Sequence, residues 1–295
     1  MSSDPVPIFP EFRDITIDDK EVFDLYLAND RPSSSEYTFA NFFCWRKCGE
    51  SRITKINGNL CVLANGSGDE LCFREPIGGN KIEETVRICA DHLIEKGYKP
   101  RLIKLNKEFV APFLKKKEYV IKEDRDNFDY IYLTKELIEL KGKRFDGKRN
   151  RISKFKREYK SNCAELTLAH IPKCLDLLER WKAEKKGLCI DEPIREALHN
   201  FDKLELQGLV VFVGDKIEAF TIGEKIDKDT AVVYIEVASP KFAGLAQFIN
   251  QKFSEELSDC KYINREQDLG DAGLRRAKLS YYPSRLIDKY TMTLK

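Results

Sequence analysis

Two hydrophobic periods alternate along the chain, and their order is repeated. Short apolar, β-branched runs read as strands at Phe12–Thr16, Ile53–Asn57, Leu60–Ala64, Leu71–Phe73, Arg101–Leu105, Tyr119–Ile121 and Phe128–Leu133. Gly58-Asn59 between two of them is a hairpin signal. Helical spacing follows a capping-box-like Thr16/Asp19 start up to about Ala28. It recurs at Ile82–Lys96, where Gly97 supplies the stop, and at Lys107–Lys116. The aromatic-dense Glu36–Arg46 segment reads as a helix packed into a core. After residue 160 the order returns. Helices are expected at Ile171–Lys185 and Ile194–Phe201, and a hairpin Leu209–Val213/Glu218–Glu224 turns at Gly214-Asp215. A strand Thr230–Val237 leads through Pro240 and Gly244 into a helix with Phe242, Leu245, Ile249 and Phe253 in step. A short strand, a basic helix and a last strand Lys289–Leu294 complete the half. Each half runs helices, hairpin, strand, glycine turn, helix, strand, so two domains of one α/β (α+β) architecture are expected, 1–140 and 161–295.

The stretch between them changes the picture. Lys141–Lys160 carries ten basic residues against two acidic ones, with Ile152, Phe155 and Tyr159 as a single apolar stripe. It reads as a basic amphipathic linker helix. Such a stretch is either a solvated connector or a surface awaiting an anion: a phosphate-bearing ligand, an RNA backbone or an anionic membrane. Lys148, Arg149, Asn150 and Lys154 are its candidate phosphate contacts. The net charge of the whole chain is only +2, so any polyanion site must come from local clustering. No apolar run is long enough to span a membrane, and the N-terminus has no secretory pattern. Nine cysteines without a CxxC pair, and three histidines without ligand spacing, read as buried small residues in a reducing cytoplasm, with no metal site.

Candidate chemistry gathers in the second half. Gly244 stands where a strand feeds a helix, so backbone N–H groups there can meet a phosphate, or the glycine serves packing alone. Glu266 and Asp268 would share one face of a strand and could orient or deprotonate an acceptor, or else cap the following helix. Arg275, Arg276 and Lys278 on that helix could hold phosphates. Tyr281 is a candidate general acid or a packed core ring.

The order of elements resembles the Gcn5-related N-acetyltransferase (GNAT) fold, whose pyrophosphate turn reads Arg/Gln-x-x-Gly-x-Gly/Ala. Lys241-Phe242-Ala243-Gly244-Leu245-Ala246 matches it at Gly244 and Ala246 and departs at Lys241. More of the chain resembles the family named for the C-terminal domain of phosphatidylglycerol lysyltransferase. Three blocks carry this: Thr38–Arg46, the linker Lys141-Gly142-Lys143 with Lys148-Arg149-Asn150, and Asn264–Gly270 with Leu274–Pro283. The resemblance implies two tandem GNAT-like domains, each a mixed, mostly antiparallel sheet flanked by helices. It also implies kinship with enzymes that move an aminoacyl group from aminoacyl-tRNA to a lipid or, in Fem-type relatives, to a cell-wall peptide. Two functions follow as expectations. One is an acyltransferase using aminoacyl-tRNA or acyl-coenzyme A as donor and an amine or hydroxyl as acceptor. The other is a binding module for an anionic, phosphate-bearing ligand.

Overall fold

Thr16 opens the first helix in the way its sequence requires, because its backbone N–H donates to the Asp19 carboxylate at 2.7 Å. The computed structural model describes residues 5–29, 34–66, 70–182 and 191–295. It divides into one unit that runs to Phe128 and takes in Ile287–Lys295, and a second, Asp129–Leu286.

In the first unit, β1 (Arg13–Asp14) and α1 (Lys20–Asn29) precede α2 (Phe39–Trp45). Thr38 caps α2 by accepting from the Asn41 N–H at 3.1 Å. Its aromatic residues are core: Phe39 and Phe42 lie 5.4 and 5.1 Å from the Phe23 ring. Then come β2 (Arg52–Ile56), β3 (Asn59–Asn65), β4 (Leu71–Phe73), α3 (Ile82–Glu95), β5 (Arg101–Asn106), α4 (Lys107–Val110) and β6 (Tyr119–Glu123). The β2–β3 turn is Asn57-Gly58, at φ 52° and 81°, one residue earlier than the sequence suggests. Both central residues of such a turn are left-handed, and asparagine tolerates that conformation. The sheet order is β1, β2, β3, β4, β5, the chain's last strand Lys289–Leu294, then β6. β4 and β5 run parallel and are registered at one pair, Phe73 with Leu102.

The second unit holds β7 (Asp129–Leu133), α5 (Thr134–Glu139), α6 (Asp146–Glu158), β8 (Ser161–Glu165), α7 (Ile171–Lys182), α8 (Asp191–His199), β9 (Gln207–Val213), β10 (Lys216–Lys225), β11 (Thr230–Ala238), α9 (Leu245–Glu256), β12 (Tyr262–Asn264), α10 (Ala272–Leu279) and β13 (Arg285–Ile287). Its sheet order is β13, β7, β12, β11, β10, β9, β8. β11 and β12 run parallel for three registered pairs, Thr230–Tyr262 to Val232–Asn264. Past that point β12 ends while β11 continues to Ala238. Each sheet thus contains one parallel pair that stops short, and the molecule is two GNAT-like domains of mixed, mostly antiparallel sheet flanked by helices.

The expected division at 140 and 161 is corrected. β7 pairs with β12, Tyr132 opposite Ile263, and so belongs to the second unit. Residues 141–160 are no connector: Ile152 and Phe155 of α6 are buried, and the Phe155 ring stacks 5.0 Å from Phe248 of α9. The last strand pairs with β5 and β6 in the first unit's sheet. An apolar stripe must be buried and a strand's N–H and C=O groups must be paired, but sequence order does not say at which sheet edge. The expected end of the Ile171–Lys185 helix lies outside the described residues.

Candidate functional site

The carboxylates singled out in the sequence lie beyond the strand. β12 ends at Asn264, and Glu266 has φ 55°, so the two do not alternate along a strand face. Asn264 turns the chain, its side-chain oxygen accepting from the Glu266 N–H at 2.8 Å. Asp268 is fully buried in a nest of donors: Tyr130 Oη at 2.5 Å, Arg275 Nε and Nη2 each at 2.8 Å, and the Gly270 N–H at 2.9 Å. Burial works against its charge, yet the bonds from Arg275 and Tyr130 hold its carboxyl well below the usual range. A carboxylate so saturated has no lone pair left for an acceptor. Asp268 is therefore a latch for Arg275, and Arg275 in turn is turned inward. Nor does Asp268 cap α10, because Asp271 takes that place by accepting from the Leu274 N–H at 2.5 Å. Asp268→Asn is expected to cost about 2 kcal/mol, the partly exposed Arg275 softening the loss of a buried pair. A drop of roughly 4–8 °C in the melting midpoint checks this; an unchanged midpoint would show the nest to be dispensable.

Lys278 has a similar task. It is buried, and its ammonium donates to the Arg265 and Gln267 carbonyls, both at 2.5 Å, closing the 264–268 turn. Burial pushes it down to about 8. Tyr132, from β7, donates to the Lys278 carbonyl at 2.8 Å and fixes the end of α10.

A second cluster occupies the place where β11 and β12 part. Arg265 crosses the split to Glu236 of β11 at 3.0 Å. The Asn250 amide, with its oxygen turned toward Arg265, accepts at 3.1 Å. The guanidinium lies 5.2 Å from the Tyr281 ring and 5.9 Å from Tyr132. From α6, Lys148 reaches the same ring, its ammonium 4.0 Å from the Tyr281 centroid and 2.6 Å from Ser280 Oγ. Burial, with Arg151 and Arg265 adding to it, brings Lys148 down to about 8. Burial raises the Tyr281 phenol, so it stays protonated across the physiological range.

The remaining candidates divide. Arg149 ties its own loop, donating from Nη1 to the Leu140 and Gly142 carbonyls and from Nη2 to Asp146. Asn150 and Lys154 are on the exposed side of α6, with Lys154 3.9 Å from Glu158; Lys241 is exposed on its turn. Ala246 is half-buried in the first turn of α9. Gly244 is the N-cap of that helix at φ 94°. A β-carbon there would lie 2.9 Å from the Arg151 carbonyl carbon, closer still to its oxygen, and 3.1 Å from Phe155 Cβ. The glycine lets α6 cross the start of α9 at close range. A carbonyl oxygen set against the turn is poor company for a pyrophosphate. Among the described residues, no group of His, Cys, Asp and Glu could hold a metal ion.

Sequence reasoning missed Glu236, Asn250, Tyr132, Ser280 and the side-chain role of Arg265. Only Arg265 and Ser280 stood inside a block already singled out.

The model for the family described as phosphatidylglycerol lysyltransferase, C-terminal, matches residues 29–293. The chain belongs to this family. A conserved protein of unknown function from Bacteroides thetaiotaomicron is 31% identical, covering 96% of this chain and 99% of its own, with a TM-score of 0.85. L-PGS from Bacillus licheniformis is 14% identical over 99% of this chain and 94% of its own, with a TM-score of 0.67. FemX is 9% identical over 97% of each chain, with a TM-score of 0.61. At such identities the last two share the fold. No curated protein sequence matches the chain. As a member of this family the chain carries an acyltransferase-superfamily fold, and no described helix is long and apolar enough to cross a membrane.

Proposed function

We propose that the second unit transfers an aminoacyl group from aminoacyl-tRNA to an amine or hydroxyl acceptor, in the cytoplasm. The observation that carries the reading is Lys148, a half-buried cation on a basic helix, held at the split between β11 and β12 beside a protonated Tyr281. Basic groups on the exposed face of α6, including Arg151 and Lys156, offer a track for the nucleic-acid backbone. The turn at Gly244, closed by α6, favours this donor over acyl-coenzyme A. In the reaction, the acceptor nitrogen or oxygen attacks the ester carbonyl carbon and gives its proton to the Glu266 carboxylate. Lys148 faces the oxygen as it gains charge. The bond to the terminal ribose oxygen then breaks, and that oxygen takes a proton from Tyr281.

The test pairs thermal shift with transfer. Bulk tRNA charged with labelled amino acids is expected to raise the midpoint at low salt, with steep loss as salt is added. Label should pass to ethanolamine, a small acceptor offering both nucleophiles. A shift with acetyl-coenzyme A alone would sink the donor assignment. A tRNA shift with no label transferred would leave a non-catalytic anion-binding module in its place.

A further inference from the structure

The first unit has its own split, where β4 and β5 part after Phe73–Leu102, and the residues beyond it are charged. Lys104 sits in a distortion of β5 at φ 56°, with the register shifting opposite it between Tyr290 and Met292. Such a bulge re-aims a side chain at a cost in backbone energy, and the cost is met where the side chain has a task. Its ammonium stands 2.8 Å from Glu36, and the same carboxylate also receives the fully buried Lys289. Tyr37 links this pair to the neighbouring strand, donating to the Lys104 carbonyl at 3.3 Å and accepting from the Glu75 N–H at 3.0 Å. The Glu75 carboxylate accepts from the Asn106 N–H and side chain at 2.8 and 3.1 Å.

Two donors are left over. Arg74 Nη1 and Ser34 Oγ are buried and reach no partner. A buried guanidinium nitrogen without an acceptor is costly, and native structures seldom carry one without a ligand to explain it. Charge points the same way, since the cations Arg74, Lys104 and Lys289 outnumber the carboxylates Glu36 and Glu75. Arg74 and Lys289 are close enough to add to the burial that lowers Lys104.

We propose that the β4–β5 split of the first unit is a binding site for an anionic oxygen group, a phosphate or a carboxylate, received by Arg74 with Lys104. A guanidinium matches either group through paired N–H donors, and the bulge at Lys104 brings a second cation alongside. The site stands on the first unit alone and does not depend on the transfer reaction.

The test is calorimetric titration of the full chain with inorganic phosphate, and separately with malonate, at ionic strength held constant with chloride. Saturable binding of one or both is expected, and which one binds tells phosphate from carboxylate. Arg74→Gln and Lys104→Gln should each weaken it tenfold or more. In anion-free buffer Arg74→Gln should melt no lower than the parent, because it removes an unpaired cation. Absence of saturable binding of either anion would overturn the proposal. So would Arg74→Gln binding as tightly as the parent, or melting several degrees lower without any anion.

Discussion

Gly244→Ala is expected to destabilise the second unit by about 4 kcal/mol or more, a size reserved for a few mechanisms. Two of them act together. The residue sits at φ 94°, where an L side chain is strained by about 1–2 kcal/mol. In addition, the new methyl would overlap the Arg151 carbonyl, which is backbone in mid-helix and cannot swing aside as a flexible side chain would. Relief requires α6 to lift from α9, opening the Phe155–Phe248 stack and the buried Ile152. The check is chemical denaturation followed by fluorescence, together with proteolysis around residues 141–160. A folded, fully stable Gly244→Ala protein would show that α6 does not cross the turn at this range, and the case against acyl-coenzyme A would fall with it.

This glycine also shows how far the sequence reaches. A glycine between strand and helix fits a pyrophosphate turn and a packing contact equally well, because both need backbone without a side chain. The deciding partner, Arg151, lies in a segment whose charge points to solvent, although its Ile152/Phe155 stripe already required burial. The order of strands and helices was legible because 2.0 and 3.6 residue periods are local properties. Which sheet received β7 and Lys289–Leu294 was not, since edge pairing joins residues far apart in the chain. The site follows the same division. Lys148 and Tyr281 stood out by composition and position. Glu236 looked like one more alternating residue of a strand, and only the split opposite it makes it the partner of Arg265. Asp268 misled for a related reason: Tyr130, which helps saturate it, comes from a strand more than a hundred residues away in sequence.

Lys148→Met is expected to reduce aminoacyl transfer about a hundredfold while leaving the fold as stable as before or slightly more so. The loss follows from removing a cation placed for developing negative charge, an effect of 10²–10³ in rate in comparable sites. The stability side follows from the sign of the proton linkage. Lys148 titrates at about 8 in the folded protein against 10.5 for a free lysine, so between these values the unfolded chain binds more protons than the native one. Stability contributed by this group therefore rises with pH from about 8 to 10.5, and at pH 7 the buried charge is a burden. Half of the side chain is still open to water, and the variant gives up the Ser280 bond and the cation's attraction to the Tyr281 ring. The net gain is therefore at most on the order of 1 kcal/mol. Lys278, also near 8, keeps its own share of the rise in the variant. The measurement is a pair of melting-midpoint profiles from pH 7 to 10.5 beside single-turnover transfer rates. A flatter stability profile with a depressed rate is expected of Lys148→Met. If the variant instead melts several degrees lower at pH 7 and transfers at the parental rate, Lys148 is a structural residue and the split between β11 and β12 is not where the chemistry occurs.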